Sequence, residues 1–191
     1  MSSLKLQVII CSTRPGRVGE AVGRWFYEYA QQHSDFEVEL VDLAQVDLPM
    51  YDEPRHPAKM QYEHEHTKRW SKSVASGDAY VFVVPEYNYS PTPALINALD
   101  YVYQEWNYKP CSFVSYGGVS GGLRGAQAAR LQVTTLRMMP IPEGVTMPFV
   151  ANLIDKETGQ LHANEPIEHS ARTVLAELKR WAEALKPLHS K

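Results

Sequence analysis

The chain alternates short, nearly continuous apolar runs with longer stretches in which apolar residues recur every three or four positions. Leu6 to Cys11 is apolar except for Gln7, the pattern of a strand buried on both faces. From Gly19 to about Gln32, Ala21, Val22, Trp25, Phe26 and Tyr29 recur at helical spacing and predict an amphipathic helix. Phe36 to Leu43 predicts a second strand, and Asp47 to Lys59, with Pro49, Pro54 and Pro57, a loop. A polar helix is expected from about Gln61 to Ser76, with Trp70 and Val74 on one face and Gly77-Asp78 as its break. Ala79 to Val84, apolar or aromatic at every position, is the clearest strand. Beyond it the pattern gives a helix from Thr92 to Tyr103, a strand from Cys111 to Tyr116, and a helix from Leu123 to Met139 with Ala128, Leu131 and Leu136 on its stripe. Gly144 to Val150 is expected as a short fifth strand, Asp155 to Gly159 as a surface turn, and Ile167 to Leu185 as a terminal helix stopped by Pro187.

Strands alternating with helices imply an open parallel sheet with helices on both faces. Five strands in this length fit an α/β, flavodoxin-like, doubly wound sheet of order 2-1-3-4-5, with residues 1–191 as a single domain. Ligands in such sheets sit beyond the carboxyl ends of the strands, where the strand order reverses. The segments following strands one, three and four are therefore the ones to examine.

Composition removes several classes of function. With 44% apolar and 21% charged residues, the chain is an ordinary globular sequence. A net charge of −3 does not make a nucleic-acid clamp. Cys11 and Cys111 are the only cysteines, so no disulfide framework is expected and a cytoplasmic, reducing compartment is. No apolar run approaches the roughly 20 residues that span a bilayer, and Met1-Ser-Ser-Leu-Lys carries no signal-peptide core.

Three loops carry unusual chemistry. Ser12-Thr-Arg-Pro-Gly-Arg-Val-Gly19 follows strand one and opens a helix. Hydroxyls, the guanidinium groups of Arg14 and Arg17, and free helix-terminal amides together favour a phosphate; the plainer reading is a solvated turn. The glycine pattern of a dinucleotide fold is missing, since only Gly16 and Gly19 are present, and so is the nucleoside-triphosphatase loop. Asp42, at the end of strand two, then reads as a strand-end turn residue. A terminal monophosphate remains. Pro85-Glu-Tyr-Asn-Tyr-Ser-Pro-Thr-Pro93 follows strand three and offers a stiff surface with aromatic, amide and carboxylate groups, suited to a planar heteroaromatic ring or simply packed on the next helix. Ser115-Tyr-Gly-Gly-Val-Ser-Gly-Gly-Leu-Arg124 follows strand four, and its four glycines either admit a ligand close to the backbone or make a flexible turn.

Together, Ser12-Thr-Arg-x-x-Arg17, Pro85-Glu-Tyr-Asn88 with Leu95-x-Asn97-Ala98-x-Asp100, and Tyr116-Gly-x-x-Ser-Gly-Gly-x-Arg124 resemble the NADPH-dependent FMN reductase family, from Leu6 to about Leu185. The resemblance implies an FMN-dependent NAD(P)H oxidoreductase working by ping-pong hydride transfer through flavin N5. Its acceptors would be quinones, free flavins, azo dyes or metal oxyanions. Ser12, Arg14, Arg17, Val18 and Gly19 would then hold the FMN phosphate. Pro85, Glu86, Tyr87 and Asn88 would line the isoalloxazine ring, and Ser115, Tyr116, Gly117 and Gly118 would close its other edge. No side chain is assigned as a catalytic acid or base, because protons can come from solvent. Cys11, Ile96 and Tyr101 depart from the family's usual Gly, Lys and Trp. The alternative on the same fold is a non-catalytic flavin carrier or redox-sensing module.

The remaining features carry no evident chemistry. Both cysteines are expected to pack as small apolar groups. His64 and His66, placed on a helix, would face different sides and make a poor metal pair, so no metal site is expected. Leu95 to Tyr108 holds more apolar and aromatic surface than one helix stripe buries, which points to a homodimer or homotetramer joined there.

Overall fold

A computed structural model describes residues 3–189. Its strands and helices alternate: β1 (Lys5–Ile10), α1 (Gly19–His33), β2 (Glu37–Asp42), α2 (Leu43–Val46), α3 (Glu65–Ser76), β3 (Ala79–Pro85), α4 (Pro93–Asp100), β4 (Pro110–Tyr116), α5 (Leu123–Thr135), β5 (Met139–Pro140), β6 (Val145–Met147) and α6 (Glu165–Leu185). The sheet is parallel in the order β2-β1-β3-β4-β5, with β6 also pairing β4. This is the expected doubly wound order. The fifth position is filled by two short pieces rather than one strand, because Pro140 and Pro142 lack the amides a continuous ladder needs.

Each face of the sheet has its own core. Leu6, Val8, Val81, Val83 and Val114 pack under α1 and α6 through Val22, Phe26, Val174 and Leu178. Ile9, Phe82, Val84 and Phe113 pack on the other side against Trp70, Leu95, Leu99, Trp106, Ala129 and Val133. The alternation along β1, β3 and β4 feeds both cores, which is why these strands read as nearly unbroken apolar runs.

Several expected elements change. The helix expected from Gln61 begins at Glu65, since Glu53 accepts hydrogen bonds from the Glu63 and His64 amides and holds that turn extended. His64 thus lies outside the helix, and its ring stacks on His66 at 5.1 Å. Helix α5 ends at Thr135, with Arg137 left-handed, and Leu131 is exposed rather than on the buried stripe, which runs through Ala126, Ala129 and Val133. The helix expected to reach Tyr103 stops at Asp100, and the chain turns inward. Tyr101, Val102 and Trp106 are fully buried within the single chain, so most of the surplus apolar surface expected there is taken up inside it, with Tyr103 and Tyr108 half-buried. Trp106 packs edge-on against Trp70 and Tyr80. Both cysteines are buried, with burial pushing their thiols well up.

Candidate functional site

Three loops meet beyond the carboxyl ends of β1, β3 and β4, and specific contacts lock them together. The first runs from Cys11 to Val18. Among the described residues, the amides of Ser12, Thr13, Arg14, Gly16 and Val18 have no backbone acceptor, Pro15-Gly16 forms a turn, and no side chain caps α1. An anion at that helix start would satisfy these donors. Ser12 is buried and Arg14 exposed. Arg17 is ion-paired with Asp42, yet its buried Nε has no partner. Asp42 also accepts from the Ala44 amide at 3.0 Å, so it is the strand-end cap expected of it and an anchor for Arg17 besides.

Gly19 explains how close the first and third loops come. A Cβ there would lie 2.2 Å from Ser12 Oγ and 2.4 Å from the Tyr116 hydroxyl oxygen. Only glycine leaves both hydroxyls against the helix start. Tyr116 itself is buried, and burial pushes its hydroxyl pKa well up against the opposing bond to Ser12, so it stays a neutral donor.

The second loop turns over at Tyr87–Ser90, where the two residues exchange backbone hydrogen bonds of 2.9 Å. Its central residues, Asn88 (φ 51°) and Tyr89 (φ 66°), are both left-handed, as a two-residue hairpin turn of mirror type requires. Asparagine tolerates that region, whereas a tyrosine there is strained by roughly 1–2 kcal/mol. Tyr87 is half-buried and Asn88 exposed.

Glu86 fastens the second loop to the third. Its carboxylate accepts from Ser120 Oγ at 2.9 Å, from the Arg124 amide at 3.1 Å and from Arg124 Nε at 2.7 Å. Burial pushes this carboxyl up, but the Ser120 and Arg124 bonds and the Arg124 charge outweigh burial and hold it below the ordinary range. Glu86 is therefore a tie between the second and third loops. Gly117 and Gly118 lie on the third loop, and a Cβ on Gly118 would meet nothing within 4 Å, leaving open space above the backbone. Ser115 is directed elsewhere, its hydroxyl 3.4 Å from the Val145 carbonyl and its backbone paired within the sheet to β3 and β6.

Sequence reasoning gave no structural role to Thr92 or Gly125, and placed Tyr89 in the ring-facing loop without its partner. Thr92 donates to the Cys11 carbonyl at 2.6 Å while capping α4, which joins the ends of β1 and β3. Gly125 lets α5 pack on the second loop, since a Cβ there would lie 3.0 Å from the Ser90 carbonyl oxygen. Tyr89 carries the Arg124 guanidinium over its ring at 3.9 Å. A glycine inside a helical stretch and a Thr-Pro helix start were the available signals.

The crevice suits FMN. A row of unpartnered amides with Ser12 and Arg17 matches a monophosphate, and the glycine floor beside a tyrosine-bearing turn matches a planar ring. Among the described residues no group of His, Cys, Asp and Glu could hold a metal ion, and no helix is long and apolar enough to cross a membrane.

Comparison with known proteins agrees with this geometry. Residues 4–152 match the family model described as NADPH-dependent FMN reductase. The chain is 37% identical over 153 residues to an NAD(P)H-dependent FMN reductase of a Nectria species, covering 77% of this chain and 76% of that relative. It is 38% identical over 147 residues to an NAD(P)H-dependent FMN reductase of Schizosaccharomyces pombe, covering 75% and 74%. Among solved structures it resembles the flavoenzyme NAD(P)H:(acceptor) oxidoreductase FerB from Paracoccus denitrificans, with a TM-score of 0.74 at 19% identity over 95% of this chain and 98% of that one. The chain belongs to the NADPH-dependent FMN reductase family.

Proposed function

We propose that the three loops hold the FMN of this NAD(P)H-dependent oxidoreductase. Ser12, Arg14, Arg17 and the amides around Val18 and Gly19 take the phosphate. Pro85, Glu86, Tyr87 and Asn88 lie along one side of the ring, with Ser115, Tyr116, Gly117 and Gly118 at its other edge. The observation that carries the reading is the set of unpartnered amides at Ser12, Thr13, Arg14, Gly16 and Val18, beside a buried arginine nitrogen that also lacks a partner. Bound FMN supplies hydride acceptance from a nicotinamide and onward reduction of a second molecule. The chain's own part is to fix the phosphate, hold the loops rigid and leave the open space above Gly118 for small molecules. Relatives named quinone reductase and NADPH azoreductase favour planar acceptors of those kinds.

The working unit is a homodimer or homotetramer, built from the whole chain as one domain and working in the cytoplasm. Val119, Leu123 and Phe149 are exposed beside the third loop and offer the apolar surface that the buried Trp106 region does not. The rival reading, a flavin carrier, predicts almost no steady-state NADPH oxidation with a quinone. Rapid turnover of FMN-loaded protein in that assay supports the enzyme; its absence with both NADPH and NADH sinks it.

A further inference from the structure

The second loop holds a conformation that its sequence resists, and one side chain stands where it can keep it there. Asn88 and Tyr89 are both left-handed, although neither is glycine. The paired Tyr87–Ser90 bonds close a turn that needs positive φ at Tyr89, and a tyrosine resists that backbone region. Arg124, at the first turn of α5, reaches both sides of the turn. Its Nε and Nη2 each lie 2.7 Å from Glu86 Oε1, just before the turn, and its Cζ lies 3.9 Å from the centre of the Tyr89 ring, within it. Gly125, next in sequence, brings the α5 backbone against Ser90 and Glu86, so the arginine is delivered to the turn by a close helix contact.

We propose that Arg124 is a positioning residue for the flavin ring: clamped between Glu86 and Tyr89, it holds the Tyr87–Ser90 turn in its left-handed form. The inference rests on the cofactor reading above and assigns Arg124 no contact with the flavin. A cation over a tyrosine face favours the broad guanidinium. Its Nε hydrogen bond and Nη2 ion contact both fall on Glu86 Oε1, an arrangement that lysine's single ammonium does not reproduce. Lysine can keep the charge but not the geometry. Glycine at position 89 would adopt the left-handed backbone unaided and make the clamp unnecessary.

Titration of the apoprotein with FMN and with riboflavin, which lacks the phosphate, separates ring from phosphate binding. Arg124→Ala is expected to weaken both ligands by the same factor, about tenfold, the worth of one charge-assisted hydrogen bond. Arg124→Lys should lie between wild type and Arg124→Ala, and adding Tyr89→Gly to Arg124→Ala should restore most of the lost riboflavin affinity. Thermal melts of the same apoproteins should show at most a modest fall, since Arg124 lies at the surface but the nearly buried Glu86 loses its cation. The proposal is overturned by unchanged riboflavin affinity in Arg124→Ala or in Arg124→Lys. Weakened FMN binding with riboflavin spared, or no rescue by Tyr89→Gly, overturns it equally. Wild-type protein that binds neither ligand overturns the cofactor reading and this inference with it, so the two failures are distinct.

Discussion

The hydroxyl of Tyr116 donates to Ser12 Oγ at 3.2 Å, joining the end of β4 to the start of the loop after β1. The two residues are 104 positions apart, and β3 lies between their strands. The first loop is thereby tied to the same strand that leads into the glycine-rich third loop.

The protein should bind one FMN per chain and not FAD. The first loop lacks the glycines that bring a pyrophosphate against a helix, and its unpartnered amides suit a single terminal phosphate. Chromatography of the extracted chromophore tests this, and FAD as the main species would refute it.

Arg17→Ala should weaken FMN by about tenfold or more, because a charge-assisted bond to phosphate contributes about 1.5–3 kcal/mol. Riboflavin binding should hardly change. The substitution also leaves Asp42, nearly buried, without its partner, so a modest fall in thermal stability is expected as well. Equal losses for FMN and riboflavin would show that Arg17 does not serve the phosphate.

Gly19→Ala pits two effects against each other. Alanine favours a helix by about 1 kcal/mol over glycine, but its Cβ would collide with the Ser12 and Tyr116 hydroxyls. The collision should prevail, disturbing the first loop and lowering FMN affinity more than melting temperature. An alanine variant that is more stable and binds FMN normally would contradict the geometry.

Trp106→Ala should destabilise the chain by about 3–5 kcal/mol, since the indole is fully buried among Trp70, Tyr80 and Phe82. Trp106→Glu should abolish folding rather than release folded monomers. Folded, smaller particles in light scattering would restore the subunit-contact reading of this residue.

Lys109 predicts a pH dependence. Its ammonium donates to the Val74 and Ala75 carbonyls and to the Tyr80 hydroxyl, and burial pushes its pKa down to about 8 against the opposing pull of Asp78 and Glu105. The unfolded chain then binds more protons than the folded one between pH 8 and the ordinary lysine value of 10.5, so this group's contribution rises with pH across that window. Tyr80 does not interfere, as burial keeps its hydroxyl neutral there. Relative to Lys109→Met, wild type should gain about 2 kcal/mol between pH 8 and pH 10 in urea unfolding. A constant difference between the two proteins would refute it.

The strand order and three site loops were legible because their signals are local. Ala79 to Val84 is unbroken because both faces are buried, and each glycine-rich or arginine-bearing loop follows its strand directly. What escaped depends on contacts between distant segments. Nothing near Glu86 announces that Ser120 and Arg124 will bind it, and nothing near Trp106 announces that the chain turns inward after Asp100. Leu131 misled for the opposite reason, since an apolar residue at helical spacing can still face water.

The split fifth position decides how the protein meets its neighbours. A sheet edge normally offers a row of free amides and carbonyls on which another chain can build. Here the β5–β6 edge is only a few residues long and flanked by prolines, and Arg130 covers the Ile141 and Pro142 carbonyls. The opposite edge, β2, carries Glu37 and Glu39. Both margins are thus poor templates for strand addition. The protein is protected against runaway edge-to-edge aggregation, and copies that associate must do so through side-chain surfaces instead of by lengthening the sheet.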